Sequence, residues 1–221
     1  NLKDVTCNNF NIKKEIDYVP NFIDLNLYER NVDAKLRSSY ADDDEFILTH
    51  ISNFRKVKRI DDVINIFKRV NETHKCKLLM IGDGPDRLKA EQLCRKLGIS
   101  KKVKFLGKLK LIENILSIAD VFLLPSETES FGLVALEAMA SKTVVISTNT
   151  GGLPEVNIDG KTGFLSNVGD VSKMSKDISS LLSDKELLEQ MKKSAFNHAK
   201  SFNLPEILPI YEKIYFRLIN K

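Results

Sequence analysis

Tryptophan is missing from this chain, and cysteine and histidine occur only three times each. Cys7, Cys76 and Cys94 are odd in number and never stand as CxxC. That excludes a disulfide framework or zinc ribbon and fits thiols kept reduced in the cytoplasm. His50, His74 and His198 are dispersed, with no acids or cysteines at ligand spacing, so no metal centre is expected. His50 falls inside an apolar run and reads as a packed residue, the other two as surface residues. There is no GxSxG elbow and no Cys/His arrangement, which leaves a hydrolase with little support. No stretch reaches the roughly 20 apolar residues that a membrane span needs, and no signal peptide is recognisable. Charges of one sign are not blocked: 34 Lys and Arg against 30 Asp and Glu leave +4, scattered along the chain. That excludes a nucleic-acid arm, and a local basic cluster for a phosphate ligand accounts for the excess. The first residue is Asn1 and the opening has no clear start, as expected for a piece of a longer protein.

What is present is enough for a core: 221 residues, 43% of them apolar. Residues 1–25 are polar and irregular and end in Tyr18-Val-Pro20-Asn21-Phe-Ile-Asp24, which reads as a linker entering a domain over 26–203. Strand and helix signals then alternate. Phe46–Ile51, Lys77–Ile81, Val103–Leu106, Phe122–Leu124 and Val144–Ile146 are apolar and short. Between them, Arg59–Thr73 (Ile60, Val63, Ile64, Phe67 and Val70 on one face), Asp86–Leu97 and Leu111–Ala119 carry helical spacing. Several strands are apolar without interruption, which implies parallel strands covered on both faces: an α/β, doubly wound sheet. From Asp170 onward the pattern is helical, with a last segment over 204–221 that holds Pro205 and Pro209. The Asp42-Asp-Asp44 run precedes a strand rather than following one, and so reads as a solvated turn.

In such sheets ligands bind beyond the carboxyl ends of the strands, which directs attention to the loops after Ile51, Ile81, Leu106, Leu124 and Ile146. Arg55-Lys56-Val57-Lys58-Arg59 puts four cations in five residues after the first strand, a pattern suited to a diphosphate or to a solvated basic loop. Gly82-Asp83-Gly84-Pro85 lacks the GxGxxG of a dinucleotide fingerprint; it serves a tight turn or brings backbone near a base or ribose. Glu127-Thr-Glu129-Ser-Phe131-Gly132-Leu133-Val-Ala-Leu-Glu137 sets two carboxylates eight residues apart around a helix start. The helix mouth offers N–H groups to an anion, and the carboxylates accept from sugar hydroxyls. Glutamate is common in helices, so the pair by itself also has a purely structural reading. Thr148-Asn-Thr150-Gly151-Gly152-Leu-Pro154-Glu155 lets backbone approach the ligand or, as its chief reading, supports the Glu129 loop from the side.

Taken together, these segments resemble the nucleotide-binding half of a family 4 retaining glycosyltransferase of the GT-B type, over nearly the whole chain. The likeness runs through Val19–Asp24, Ile81–Pro85, Phe105–Gly107, the EX7E element Glu129–Glu137 and Gly151–Glu155. It implies a Rossmann-like domain forming one half of a GT-B fold, and places Glu137 on the ribose and Glu129 on the donor sugar. It also puts the backbone of Phe131, Gly132 and Leu133 at the sugar or phosphate, and uracil near Gly107 and Lys108. Gly82 joins the donor-binding set through its loop backbone. Lys58 matches the family's phosphate lysine. The partner arginine expected five residues earlier is replaced by Asn53, leaving Arg55, or else Arg59, to serve with Lys58.

His50–Ile60 and Gly163–Asp170 carry a finer likeness, to the branch that makes N-acetylglucosaminyl malate on the way to bacillithiol. This implies transfer of N-acetylglucosamine from UDP-N-acetylglucosamine to L-malate with the α configuration kept. Glu129, Lys58 and Arg55 would be the catalytic set, with no metal and no cofactor. It also implies an absent N-terminal GT-B domain that carries the acceptor site, a last helix crossing to that domain, and room for a homodimer. The fragment alone should bind UDP weakly and be inactive. The alternatives are a non-catalytic nucleotide-sugar binding module and a family 4 enzyme with another acceptor, such as inositol phosphate, a lipid or a polysaccharide. A UDP-N-acetylglucosamine 2-epimerase would share the two-domain plan, but the EX7E context argues against it.

Overall fold

The computed structural model describes residues 6–7, 9–12, 16–28 and 32–220. Among these residues six parallel strands, β1 Phe46–Ser52, β2 Cys76–Gly82, β3 Val103–Gly107, β4 Val121–Leu124, β5 Val144–Thr148 and β6 Gly163–Ser166, lie in the order β3-β2-β1-β4-β5-β6. The uninterrupted apolar runs explain the parallel sheet, because successive side chains face opposite sides and both sides are dry. Val121 and Leu123 enter one apolar cluster with Leu48, Leu78, Met80, Val144 and Ile146; Phe122 and Leu124 enter another with Val145.

Among the described residues from Ala34 onward nine helices follow in chain order: α1 Ala34–Ser38, α2 Ile60–Val70, α3 Arg87–Lys96, α4 Ile112–Leu116, α5 Leu133–Ala140, α6 Leu153–Val156, α7 Val171–Ser183, α8 Lys185–Ala199 and α9 Leu204–Ile219. α2, α3 and α7 cover one face of the sheet, and α5 with part of α8 covers the other. α2 buries the five residues whose spacing predicts it, and Ile66 besides. It begins at Ile60 because Arg59 is held left-handed at φ 51°. α4 is shorter than its apolar pattern suggests, ending beside Ser117, whose hydroxyl donates back to the Asn114 carbonyl.

Three features differ from the sequence reading. β6 is a four-residue edge strand carried by Gly163-Phe-Leu-Ser166, too short for a periodicity to register. The end of the 1–25 segment is docked rather than irregular: Ile23 bridges Asn203, and Asp24 caps a 3-10 turn over Leu25–Leu27. His198 is half-buried, its ring edge-on to Phe202 at 5.3 Å. Asp44, by contrast, sits in the expected exposed turn, paired with Lys75. Among the described residues no helix is long and apolar enough to cross a membrane.

Candidate functional site

The chain leaves β1 toward β2 on one side and reaches β4 on the other, so strand order reverses between β1 and β4. Their crossovers diverge there and open a crevice beyond the carboxyl ends. The basic loop after β1 and the acidic loop after β4 flank that point.

The basic loop is anchored from below. Phe54 is fully buried and holds φ 34°, its ring stacked at 6.1 Å on His50 and edge-on to Phe105 at 6.3 Å. His50 is buried, with Nδ1 2.8 Å from the Leu123 carbonyl and Nε2 2.8 Å from Ser52 Oγ. A carbonyl only accepts, so Nδ1 carries the proton and the Ser52 hydroxyl donates to Nε2. Burial pushes the His50 pKa down to about 4, which keeps the ring neutral. Above this anchor Lys56–Lys58 forms a 3-10 turn that presents Lys58. Gly82 and Gly84 let the β2 loop close against it: a Cβ on Gly82 would lie 1.8 Å from the Ser52 carbonyl oxygen, and one on Gly84 2.1 Å from that of Asn53.

The acidic loop is tied to the basic one. Glu127 N–H donates to the Val57 carbonyl at 2.8 Å, and Lys58 Nζ meets Glu129 Oε1 at 2.5 Å across 71 residues of sequence. Ser126 Oγ donates to the same carboxylate oxygen at 2.9 Å. The loop after β5 buttresses this from the side. Gly152 N–H donates to the Glu129 carbonyl at 3.0 Å, Thr148 Oγ1 to that of Ser126 at 2.6 Å and Thr150 Oγ1 to that of Glu127 at 3.2 Å. The pair is half-buried, with side chains 20% and 12% exposed. Lys58 spends one of its three ammonium protons on Glu129, so the others can reach an anion.

α5 opens at Gly132, φ 94°, with no side-chain cap; the Gly132 carbonyl accepts from the Ala135 and Leu136 N–H groups at 2.9 and 3.2 Å, which leaves those of Leu133 and Val134 without an acceptor among the described residues. Phe131 turns its ring inward against Phe202, 5.8 Å between centroids, leaving its backbone at the mouth, while Leu133 is exposed. Glu137 lies one turn further in, and Tyr28 Oη donates to its Oε1 at 2.9 Å. Burial raises the Glu137 pKa, the Tyr28 bond opposes that, and the Glu113 charge adds to it.

Lys58 and Glu129 are thus in contact, with the mouth of α5 following Glu129 in the chain. Arg55 is exposed and makes no ion pair among the described residues, whereas Arg59 is bound to Asp62 at 2.5 Å. Gly107 and Lys108 stand at the end of β3, separated from β1 by β2, with Lys108 exposed. Ser126 and Tyr28 were not singled out by sequence. Ser126 stands three residues before Glu129, a spacing that could have drawn attention to it; Tyr28 lies 109 residues from Glu137 and carries no local signal. A cavity of about 360 Å³ lined by Arg37, Asp120, Lys142 and Lys192 lies at the opposite, amino ends of the strands. There Asp120 accepts from Arg37 at 3.0 Å, Lys192 at 2.9 Å and the Ile47 N–H at 2.9 Å, a structural tie.

The family described as glycosyl transferases group 1 matches residues 31–198. The chain is 41% identical over 208 residues to N-acetyl-alpha-D-glucosaminyl L-malate synthase of Bacillus anthracis, covering 93% of this chain and 55% of that protein. Among solved structures, sucrose-phosphate synthase from Thermosynechococcus elongatus superposes with a TM-score of 0.85 at 25% identity, over 99% of this chain and 56% of that one. Anabaena HepE in complex with UDP and glucose superposes with a TM-score of 0.82 at 23% identity, over 93% and 57%, which shows a shared fold. The chain therefore spans a little over half the length of these proteins. With its parallel sheet and its paired loops at the switch point, it belongs to the group 1 glycosyl transferases.

Proposed function

We propose that this chain is the donor-binding part of a retaining glycosyltransferase that moves N-acetylglucosamine from UDP-N-acetylglucosamine to L-malate. The observation that carries the donor reading is the meeting of Lys58 with Glu129 at the β1–β4 switch point, on the loop that leads into α5. A diphosphate needs fixed cations and unspent N–H groups, and a sugar needs carboxylate acceptors; this crevice offers both. The choice of N-acetylglucosamine and malate rests on the Bacillus anthracis relative, whose name states that product.

In this reading Lys58, with Arg55 from the open side, and the amino end of α5 stabilise charge as it builds on the departing UDP. Arg55 is preferred to Arg59 because Asp62 already occupies the latter. Glu129 orients the donor sugar, Glu137 accepts from the ribose hydroxyls, and the backbone of Gly82 and Gly107 with Lys108 borders the base. The bond from the anomeric carbon to the phosphate oxygen breaks and its electron pair leaves with UDP. The malate hydroxyl oxygen bonds the same face, and its proton passes to the departing phosphate. No metal or cofactor is assigned a part. Residues 26–203 would be the donor domain and α9 the helix that crosses to an N-terminal domain bearing the acceptor site.

Calorimetric titration with UDP tests the donor site. Binding is expected, and Glu137→Ala should weaken it by about tenfold or more, as for lost hydrogen bonds to a charged group. No heat at millimolar UDP, or unchanged affinity in the variant, would sink the assignment. Assaying the full-length protein with UDP-N-acetylglucosamine against malate and inositol phosphate tests the acceptor.

A further inference from the structure

Tyr28 belongs to none of the strand-end loops, yet its hydroxyl reaches Glu137. It closes the 3-10 turn Leu25–Leu27, with its own N–H bonded to the Leu25 carbonyl at 2.9 Å. That turn is stitched to the junction between α8 and α9. Ile23 N–H donates to the Phe202 carbonyl at 3.0 Å, Leu204 N–H to that of Ile23 at 2.8 Å, and Leu25 N–H to Asn203 Oδ1 at 3.2 Å. Ile23 and Leu25 are buried, and the Tyr28 ring packs on the same apolar cluster as α5. The strap Ile23–Tyr28 therefore has a defined place, and its last residue is delivered to a helix far away in sequence.

On the reading that Glu137 meets the ribose, we propose that Tyr28 is a positioning residue for the nucleotide. It holds Glu137 by one carboxylate oxygen and leaves the other for the ligand's diol. Among the described residues no hydrogen bond reaches Glu137 Oε2, so the second oxygen has lone pairs to give. The Tyr28 bond has a second effect. Burial and Glu113 of α4 both favour the protonated form of Glu137, and the donated phenol bond favours the carboxylate. Burial and the Glu137 charge raise the pKa of Tyr28 itself, so it stays a donor across the working range. The strap thereby links the docking of Ile23 on Phe202 and Leu204 to the grip on the donor.

The test is Tyr28→Phe, which keeps the ring, in the full-length protein, titrated with UDP and with 2′,3′-dideoxy-UDP across pH. UDP affinity is expected to fall about fivefold to tenfold near neutrality. Glu137 then protonates at higher pH, so the acid-side loss of UDP affinity should also move to higher pH, while dideoxy-UDP is unaffected. Unchanged UDP affinity and pH profile in Tyr28→Phe, alongside weakened binding in Glu137→Ala, would overturn this proposal alone. Equal loss for both nucleotides with no change in pH profile would also overturn it, since that marks general packing. Unchanged binding in Glu137→Ala would remove the ribose reading and this proposal with it.

Discussion

Alanine at Gly151 should harm this protein far more than alanine at Gly98, although both glycines are left-handed, φ +58° and +70°. The shared cost of placing a Cβ in that conformation is about 1 kcal/mol. At Gly98 no atom lies within 4 Å of the added carbon, so the cost ends there. At Gly151 the carbon would lie 1.7 Å from the Glu129 carbonyl oxygen and 2.8 Å from its carbon, so the two loops must part by more than an ångström. That movement breaks the Gly152 N–H bond to Glu129, worth about 0.5–1.5 kcal/mol net. It also draws Glu129 away from Lys58, loosening a half-buried pair worth about another 1 kcal/mol. The total is about 3 kcal/mol. For a protein of this size each kcal/mol moves the melting temperature by about 2–4 °C. Gly98→Ala should therefore melt about 2–4 °C lower and Gly151→Ala about 6–12 °C lower by scanning calorimetry, and only the latter should weaken UDP binding. Equal melting temperatures in the two variants would refute the claim that the β5 loop sets the position of Glu129.

His50 provides a pH test: its folded pKa near 4 lies below the ordinary 6.5, so the unfolded chain binds more protons between those values. Its contribution is complete above about pH 6.5 and is lost as pH falls toward 4, about 3 kcal/mol in all, which urea unfolding across that range should register and His50→Gln should flatten. At the other end of the strands, Asp120→Ala leaves Arg37 and Lys192 without their shared carboxylate and the Ile47 N–H without its acceptor. A loss of about 3 kcal/mol is expected in urea unfolding, with UDP affinity unchanged; a loss under about 1 kcal/mol would contradict the structural role given to this cluster.

Much of this molecule is written locally. The apolar runs at β1, β2, β4 and β5 need both faces covered wherever they occur, so period and composition alone lead to a parallel doubly wound sheet. The EX7E spacing and the cations at 55–59 are likewise properties of short segments, and they mark the loops of the candidate site before any folding is considered. β6 escapes such reading because four edge residues carry too little pattern, and the strap Ile23–Tyr28 escapes it because its partners at 202–204 are almost the whole chain away. Strand order was decided only in three dimensions. By bringing β1 beside β4 it turns two loops 71 residues apart into one ion-paired crevice. The Tyr28 bond to Glu137 is of the same kind. Residue type and spacing set what each segment can do, whereas contacts between distant segments depend on how the sheet twists and the helices pack, which no local pattern encodes.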